Sequence, residues 1–298
     1  MANLPRFLEE DPGGLGRLAQ VEILYTDLDG TLLGQGGTLL VDGDGAPSAT
    51  AAEAVVAVNR AGLPVVITSG RATLQLIEVA RMCGWNDFIA EVGALRSVWR
   101  DGQRLTTFDA GQWPEGTPAS GTTPLDAIRE SGAYEALVAA FPGRVEHHDP
   151  WHLNRSATDV LRGCLSLSDA QAVLDTLPLP IDLLDNGIVR RHSETLVCDR
   201  PLHAYHLVPR GVSKRRAITL DLAERGIAPE NAALIGDSDT DLSAAPAVGL
   251  LALVENALEV PGLEQRLSTH DNAWVVRGRR GDGWAEFARL WLTARGVR

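Results

Sequence analysis

The sequence predicts a doubly wound α/β core, with a Rossmann-like parallel sheet, that is interrupted by an inserted α+β domain. Three observations carry this prediction. Short apolar runs alternate with helix-like segments at both ends of the chain, and aspartates directly follow two of these runs. The middle of the chain lacks this alternation. With 298 residues, the chain is long enough for two domains.

Strand-like and helix-like segments alternate in the N-terminal part of the chain. Each strand is predicted from a short apolar run, and each helix from a periodic segment that ends at a glycine. The elements are strand 21–25, helix 49–61, strand 64–68, helix 72–83 and strand 88–90. Such alternation is typical of a parallel sheet with right-handed connections.

The same pattern returns near the C-terminus. The predicted elements there are helix 213–225, strands 232–235, 248–254 and 273–276, and helix 283–295. Between the two parts, residues 109–124 have the composition of a long loop. The other elements of the middle are helix 125–140, strand 161–167, helix 168–177 and strand 181–184. We therefore expect a discontinuous core, residues 1–92 and 208–298, around an inserted domain, residues 93–207.

Charge and composition narrow the choice of partners. The 27 basic and 39 acidic residues give a net charge of −12, which disfavours nucleic acid and anionic membranes as partners. No apolar run approaches the roughly 20 residues of a membrane helix. We expect a cytoplasmic protein, monomeric or a small homo-oligomer. Cys83, Cys164 and Cys198 are odd in number and far apart, which predicts reduced thiols and no disulfide or zinc site.

Two aspartates follow the first predicted strand. Asp27 and Asp29 lie where ligands bind in doubly wound sheets, and Gly30 permits the turn that would bring both carboxylates to one cation. Such hard oxygen ligands suit Mg²⁺. The alternative is an Asx-turn that ends the strand. The full pattern D-x-D-G-T, which ends at Thr31, is expected by chance on the order of once in 10⁵ positions.

Two further segments offer groups that hold phosphate. Ser69, Gly70 and Arg71 end a strand and open a helix, where a hydroxyl and backbone N–H groups can bind a phosphate; helix capping is the alternative. Lys214 opens another helix, against the helix dipole. This indicates a task such as neutralising a phosphoryl group, although a solvated surface lysine is the alternative.

A third aspartate-rich segment follows the strand at 232–235. Asp237, Asp239 and Asp241 lie within five positions, and charges this dense repel one another unless they are solvated or share a cation. The alternative is an acidic turn that caps the next helix. Four separate segments thus each present a group that one reaction needs, which chance explains poorly.

These segments resemble the four motifs of the haloacid dehalogenase-like hydrolase superfamily. Motif I resembles residues 27–31, motif II Ser69, motif III Lys214 and motif IV residues 236–241. The position of the insert resembles the C2-capped members, especially Cof-type and sugar-phosphate phosphatases. Glu91-Val92-Gly93-Ala94 is similar to the "ENGA" segment of this group, with Val92 in place of Asn; Thr240 likewise replaces the usual Asn of "GDxxND".

The resemblance implies a Mg²⁺-dependent phosphomonoesterase that acts through an aspartyl-phosphate. Asp27 would be the nucleophile and Asp29 the acid and base, while Ser69 and Lys214 would hold the phosphoryl oxygens. The predicted metal residues are Asp27, the Asp29 carbonyl, Asp237 and Asp241, the last of which supports the metal shell or orients Lys214. Thr31, Gly70 and Arg71 would also line the substrate site. The expected substrate is a small phosphorylated metabolite, such as a sugar phosphate or a glycosyl-phosphoglycerate.

Substrate-selecting residues are expected in the insert. A cluster of aromatic, cationic and amide side chains suits a polar, anionic ligand. It contains His147, His148, Trp151, His152, Asn154 and Arg155, of which we predict His148 and Arg155 to bind substrate. A solvated loop with one packed tryptophan is the alternative. A second basic cluster, Arg190, Arg191 and His192, has the character of a solvated face.

Two other functions stay open from the sequence. A phosphomutase would use the same aspartyl-phosphate but would need a bisphosphate activator. A non-catalytic binding or regulatory protein could also be built on this fold. The complete set of Asp27, Asp29, Ser69, Lys214 and Asp237 argues against the latter, because clustered like charges are costly without a cation.

Overall fold

The computed structural model describes residues 5–189 and 193–297 and forms two compact units. The first unit contains the residues up to 69, residues 77–89 and the residues from 214 onward. The second contains residues 70–76 and 90–213. The basic cluster of Arg190, Arg191 and His192 lies outside the described residues.

The strands are short and occur in both units. In chain order they are β1 (Ile23–Thr26), β2 (Val65–Thr68), β3 (Phe88–Ala90), β4 (Leu95–Arg100), β5 (Gln103–Phe108), β6 (Val145–His147), β7 (Asp159–Gly163), β8 (Ile181–Val189), β9 (Leu202–Pro209), β10 (Ala232–Gly236), β11 (Leu250–Leu253) and β12 (Ala273–Val275). Short 3₁₀ segments, such as Glu91–Gly93, lie between some of them.

The helices are of moderate length. They are α1 (Pro12–Leu18), α2 (Thr50–Arg60), α3 (Thr73–Cys83), α4 (Pro124–Glu130), α5 (Ala133–Ala140), α6 (Leu167–Leu174), α7 (Lys214–Arg225), α8 (Asp239–Leu242), α9 (Leu263–Leu267) and α10 (Arg280–Ala294). Within the part of the chain that the structure describes, no helix has the length and apolar character needed to cross a membrane.

The first unit is built on parallel strands in the order β12-β11-β10-β1-β2-β3. The order reverses at β1, since β2 follows on one side and β10 pairs on the other. In register, Thr26 lies beside Ile235. The carboxyl ends of β1 and β10 are therefore neighbours, and a crevice at such a switch point is where doubly wound sheets bind ligands.

Helices cover both faces of this sheet. Ile23 and Tyr25 of β1 pack in one apolar cluster with Ile218 of α7, and the Tyr25 hydroxyl donates to Asp221 of α7 at 2.7 Å. Side chains alternate along a strand, so Thr26 points to the opposite face. There its Oγ1 accepts a 2.9 Å bond from Trp284 Nε1 of α10. The predicted doubly wound α/β class is confirmed.

The second unit combines an antiparallel sheet with helices. Its four-stranded sheet has the order β6-β7-β9-β8, and its strands β4 and β5 pair with each other in antiparallel fashion. Its core joins residues of α4, α5 and α6 to residues of the sheet; examples are Ile128, Leu137, Leu161, Leu174 and Leu207. Because its helices and antiparallel strands share one core, this unit has the predicted α+β character.

One predicted helix is wrong. The segment 125–140 was expected to form a single helix, but it forms α4 and α5 with a break between them. Gly132 adopts φ +73°, a left-handed conformation that ends α4 and lets the chain begin α5 in a new direction. Apolar periodicity continues across the break, so the pattern concealed the turn.

The prediction of three reduced thiols is also wrong. Cys164 and Cys198 form a disulfide that closes a sequence separation of 34 residues. The segment around Cys198 returns to the end of β7, where Arg200 Nη2 donates to the Cys164 carbonyl at 2.8 Å. This proximity depends on tertiary structure, which the spacing of cysteines does not reveal. Cys83 is free and buried, and burial raises the pKa of its thiol to about 11.

Candidate active site

The segment 27–31 forms a tight turn directly after β1. The Asp27 N–H donates to the Ile235 carbonyl at 2.9 Å, so the pairing of β1 with β10 continues up to the aspartate. Gly30 has φ +85°, and a Cβ added there would lie 2.0 Å from Asp237 Oδ2. Only glycine can both adopt this conformation and allow the Asp237 carboxylate to approach so closely.

Asp29 and Thr31 occupy different environments in this turn. The Asp29 side chain is exposed, and its backbone forms an isolated parallel bridge with Leu33. Thr31 is fully buried, and its Oγ1 has no hydrogen-bond partner among the described residues. The turn thus presents one carboxylate to solvent and leaves one buried hydroxyl able to accept a partner.

Lys214, the first residue of α7, joins the two aspartate segments. Its Nζ donates to Asp27 Oδ1 at 2.9 Å and to Asp241 Oδ1 at 2.7 Å. All three side chains are buried. Burial opposes the charged ammonium, but the carboxylates of Asp241 and Asp27 outweigh it and hold the pKa of Lys214 above its usual range. Lys214 is therefore a fixed cation and not the surface lysine of the alternative reading.

Asp241 uses both carboxylate oxygens within the protein. While Oδ1 accepts from Lys214, Oδ2 accepts from Ser238 Oγ at 2.5 Å and from the N–H groups of Asp237 and Ser238 at 3.2 Å. These bonds form a capping box at the start of α8. Asp241 thus caps the helix, as the structural alternative predicted, and also orients Lys214.

Three carboxylates converge here with a single cation. Asp27, Asp237 and Asp241 each offer an oxygen, and these atoms lie within 4.8 Å of one another. Burial, followed by repulsion from Asp27 and Asp241, raises the pKa of Asp237 well above its usual value. Three ionised carboxylates and one ammonium have a combined formal charge of −2. Hard oxygen donors with this excess of negative charge fit a divalent cation such as Mg²⁺.

Asp27 is affected in the same way. Burial raises its pKa to about 7; Lys214 counteracts this increase, while Asp241 and Asp29 add to it. A carboxylate with this pKa is only partly ionised near neutral pH, and a bound cation would favour the ionised form. The buried position of this carboxylate beside Asp237 and Asp241 therefore fits a site that holds a cation.

Ser69 ends β2, and the residues after it are held through their carbonyls. The buried Ser69 donates its N–H to the Ile89 carbonyl at 3.0 Å. The Gly70 carbonyl accepts from both Nη atoms of Arg155, with Nη1 at 3.1 Å. The Arg71 carbonyl accepts from the Glu91 N–H at 3.1 Å. The predicted phosphate segment is therefore rigidly held at its backbone.

Of the two residues predicted to select substrate, Arg155 has a buried side chain and His148 is buried as a whole. Arg155 is bound to Gly70, and its Nε lies 3.9 Å from Glu91 Oε2. His148 donates its N–H to the Val160 carbonyl at 2.9 Å, and the residue as a whole is 9% exposed. The structure therefore brings Arg155 to the predicted phosphate segment, while the backbone of His148 is held against β7.

Sequence reasoning missed Asn256. Its Nδ2 donates to the Gly30 carbonyl at 3.0 Å and to Asp237 Oδ2 at 3.3 Å, and its Oδ1 accepts from the Arg280 N–H at 2.8 Å. Asn256 thereby fixes the turn after β1 to the aspartate after β10. A signal was present, because this amide lies shortly after an apolar strand, at the edge where the other site residues were sought.

Sequence reasoning also missed the role of Glu91. This fully buried carboxylate accepts from the N–H groups of Ser156, Ala157 and Thr158 and from the Thr158 hydroxyl, at 2.8 to 3.2 Å. Glu91 itself has φ +52°, and the neighbouring Val92 has φ +54°. These bonds join residues about 65 positions apart, which no local pattern could show.

Comparison with known proteins adds sequence relatives and related folds. No family model matches the chain. It is 25% identical over 267 residues to a phosphoglycolate phosphatase from Methanoculleus marisnigri, covering 89% of this chain and 94% of the relative. It is also 25% identical over 273 residues to a phosphoglycolate phosphatase from Methanopyrus kandleri, covering 91% and 97%.

Solved structures show the same fold at lower identity. A phosphatase of the haloalkanoate (HAD) enzyme superfamily from Bacteroides thetaiotaomicron matches with a TM-score of 0.58 and 19% identity, covering 94% of this chain and 97% of that one. The four motifs lie in the expected order on this fold, and three of them meet at one switch point. The fold implied by the resemblance to the haloacid dehalogenase-like hydrolase superfamily is thereby confirmed.

Proposed function

We propose that this protein is a Mg²⁺-dependent phosphomonoesterase that acts on a small phosphorylated metabolite. The observation that carries the proposal is the arrangement of Lys214 between Asp27 and Asp241, with Asp237 alongside. This arrangement supplies a carboxylate nucleophile, a fixed cation for phosphoryl oxygens and oxygen ligands for a metal. The phosphatase names of the two curated relatives support the same reaction.

The residues that would hold Mg²⁺ are Asp27, Asp237 and the backbone carbonyl of Asp29. Both carboxylate oxygens of Asp241 already accept hydrogen bonds from the protein. We therefore assign Asp241 to orient Lys214 and to hold the backbone N–H of Asp237. When bound, Mg²⁺ would offset the negative charge of the phosphoryl group and of the carboxylates around it.

Asp27 would begin the reaction by attack on phosphorus. Lys214 holds Asp27 Oδ1, which sets the direction of the second oxygen. A bond forms between this carboxylate oxygen and phosphorus, and the bond from phosphorus to the substrate oxygen breaks. The product of this step is an aspartyl-phosphate on Asp27, and Lys214 and Ser69 stabilise the charge on its oxygens.

Asp29 would move the protons in both steps. Its exposed side chain is accessible to a leaving group, and its carboxyl would protonate the departing oxygen. The resulting carboxylate then takes a proton from water as the water oxygen attacks phosphorus. Inorganic phosphate departs, Asp27 is regenerated, and Asp29 is protonated again for the next cycle.

The proposed substrate is a small phosphorylated metabolite, for which the relatives suggest candidates. The names of the curated relatives make phosphoglycolate the first compound to test. Sugar phosphates and glycosyl-phosphoglycerates follow from the resemblance to capped phosphatases. All of these are small phosphate monoesters, whose leaving group is an alkoxide or a similarly basic oxygen that needs the proton of Asp29.

A phosphate-release panel tests the proposal. We expect the purified protein with Mg²⁺ to hydrolyse at least one of these esters and to lose activity with a chelator. Asp27→Asn should lower kcat by roughly a thousandfold or more, because it removes the nucleophile. Asp239→Asn is a matched control: Asp239 lies in the same acidic segment but is exposed and pairs with Arg266. Equal loss in both variants would contradict the assignment of Asp27.

A further inference from the structure

Within the second unit, the carbonyls of Gly70 and Arg71 are both held by hydrogen bonds. The carbonyl of Gly70 accepts from Arg155, and the carbonyl of Arg71 accepts from the Glu91 N–H. A trans peptide is planar, with its C=O and N–H pointing in opposite directions. The bond from Arg155 to the Gly70 carbonyl therefore also sets the direction of the Arg71 N–H, a group in the predicted phosphate-binding segment.

The guanidinium of Arg155 is buried and incompletely paired. Its side chain is 3% exposed, both Nη atoms bind one carbonyl, and its Nε has no hydrogen-bond partner among the described residues. Burial lowers the pKa of Arg155, although Glu91 and Asp159 counteract this effect. A buried guanidinium with incomplete pairing costs free energy, because its desolvation is not fully offset. Packing alone therefore does not account for an arginine at this position.

Glu91 fixes the loop that carries Arg155. Its carboxylate binds the N–H groups of the next three residues, Ser156 to Thr158. With the backbone fixed immediately after Arg155, the guanidinium has little freedom to leave the Gly70 carbonyl. Space around Gly70 is also limited, because an added Cβ would lie 2.8 Å from Asn186 Nδ2.

We propose that Arg155 is a positioning residue for the phosphate-binding segment Ser69–Arg71, and that it acts through the Gly70 carbonyl. This inference rests on the proposed phosphatase function. It replaces the substrate contact predicted for Arg155 with a contact to the protein backbone. Loss of the guanidinium would let the Gly70–Arg71 peptide rotate, and phosphate would then meet a less ordered set of donors.

The test compares Arg155→Ala and Arg155→Lys with the wild-type chain. Both variants should lower kcat/KM for the best ester of the panel by roughly 10- to 100-fold, as small misplacements at a reacting centre do. Affinity for inorganic phosphate, measured by calorimetry with Mg²⁺ present, should fall in parallel. Added guanidinium should partly restore the activity of Arg155→Ala, because it can occupy the vacated position.

Arg162→Ala is the matched control. Arg162 lies on β7 in the same unit, is largely buried and pairs with Glu146 at 2.6 Å, away from Gly70. It should keep wild-type phosphate affinity and show no rescue. Wild-type phosphate affinity in a folded Arg155→Ala would overturn the inference. An equal loss of phosphate affinity in Arg162→Ala, with no rescue by guanidinium in either alanine variant, would also overturn it. If Arg155→Ala does not fold, unchanged phosphate affinity in Arg155→Lys would also overturn it. Absence of activity in the wild-type chain would instead contradict the proposed function.

Discussion

At the scale of single residues, the site gathers carboxylates whose negative charge is only partly offset by the ammonium of Lys214 among the described residues. Asp27, Asp237 and Asp241 share one ammonium, that of Lys214. Burial, with repulsion from Asp241 and Asp29, raises the pKa of Asp27 to about 7 despite the nearby ammonium. A group whose pKa is higher in the folded state than in the unfolded state makes folding less favourable as pH rises between the two values.

This gives a pH-dependent prediction for Asp27→Asn in metal-free protein. The neutral asparagine carries no charge to bury, so its free energy of unfolding should exceed that of the wild type by an amount that grows from pH 5 to pH 8. The pKa rises from 3.8 to about 7, so growth over this interval is at most roughly 3 kcal/mol. Denaturant unfolding in a chelator measures it. If the difference in unfolding free energy between Asp27→Asn and the wild type shrinks as pH rises, the charged carboxylate is stabilised without a cation.

A second residue-scale prediction concerns Glu91. Its carboxylate accepts three N–H groups and one hydroxyl in a fully buried position. Glu91→Gln keeps the shape but turns one acceptor into a donor that faces these donors. It also removes the nearer of the two negative charges that act on Arg155. We expect a loss of roughly 2–4 kcal/mol in unfolding free energy, measured by urea denaturation. A loss below about 0.5 kcal/mol would contradict the network.

At the scale of elements, the periodic strands and helices of the first unit were largely predictable from the sequence. Apolar runs located β1, β2, β3 and β10 to within a few residues, because buried parallel strands have a continuous apolar composition. The second unit was harder to predict. The strand β5 is mostly exposed and β9 was not recognised, since neither carries a clear apolar pattern bounded by turns.

Substitution of Gly132 distinguishes two helices with a break from one continuous helix, because the two structures predict opposite changes in the free energy of unfolding. In the observed structure Gly132 is left-handed, so Gly132→Ala should destabilise the protein by about 1–2 kcal/mol. In a continuous helix the same change would stabilise by about 1 kcal/mol. Thermal and urea unfolding distinguish the two results, and phosphate release should stay near the wild-type rate.

At the scale of the whole molecule, the sequence predicted the fold class and the four motif segments but only part of their surroundings. Asp27, Lys214 and Asp241 meet as the motifs suggested, because strand ends at a switch point must converge. Asn256 was overlooked although it follows an apolar strand, and the Glu91 network stayed hidden because its bonds link distant parts of the chain. The disulfide was missed for the same reason.

The Cys164–Cys198 disulfide leads to a prediction about the number of reactive thiols in the protein. Cys164 and Cys198 are paired and Cys83 is free, so protein denatured without reductant should show one reactive thiol and reduced protein three. Replacing both paired cysteines by serine should cost roughly 2–4 kcal/mol for a loop of this length. Thiol titration checks the pairing, and three reactive thiols before reduction would contradict it.

The central claim is that Asp27 receives the phosphoryl group in a Mg²⁺-dependent reaction. The most direct measurement is an acid quench during turnover, followed by borohydride reduction and mass spectrometry of the peptide that contains Asp27. An aspartyl-phosphate would be converted to homoserine at position 27. We predict homoserine there only when ester and Mg²⁺ are both present. Steady phosphate release with position 27 unmodified, or the modification at another residue, would contradict the account.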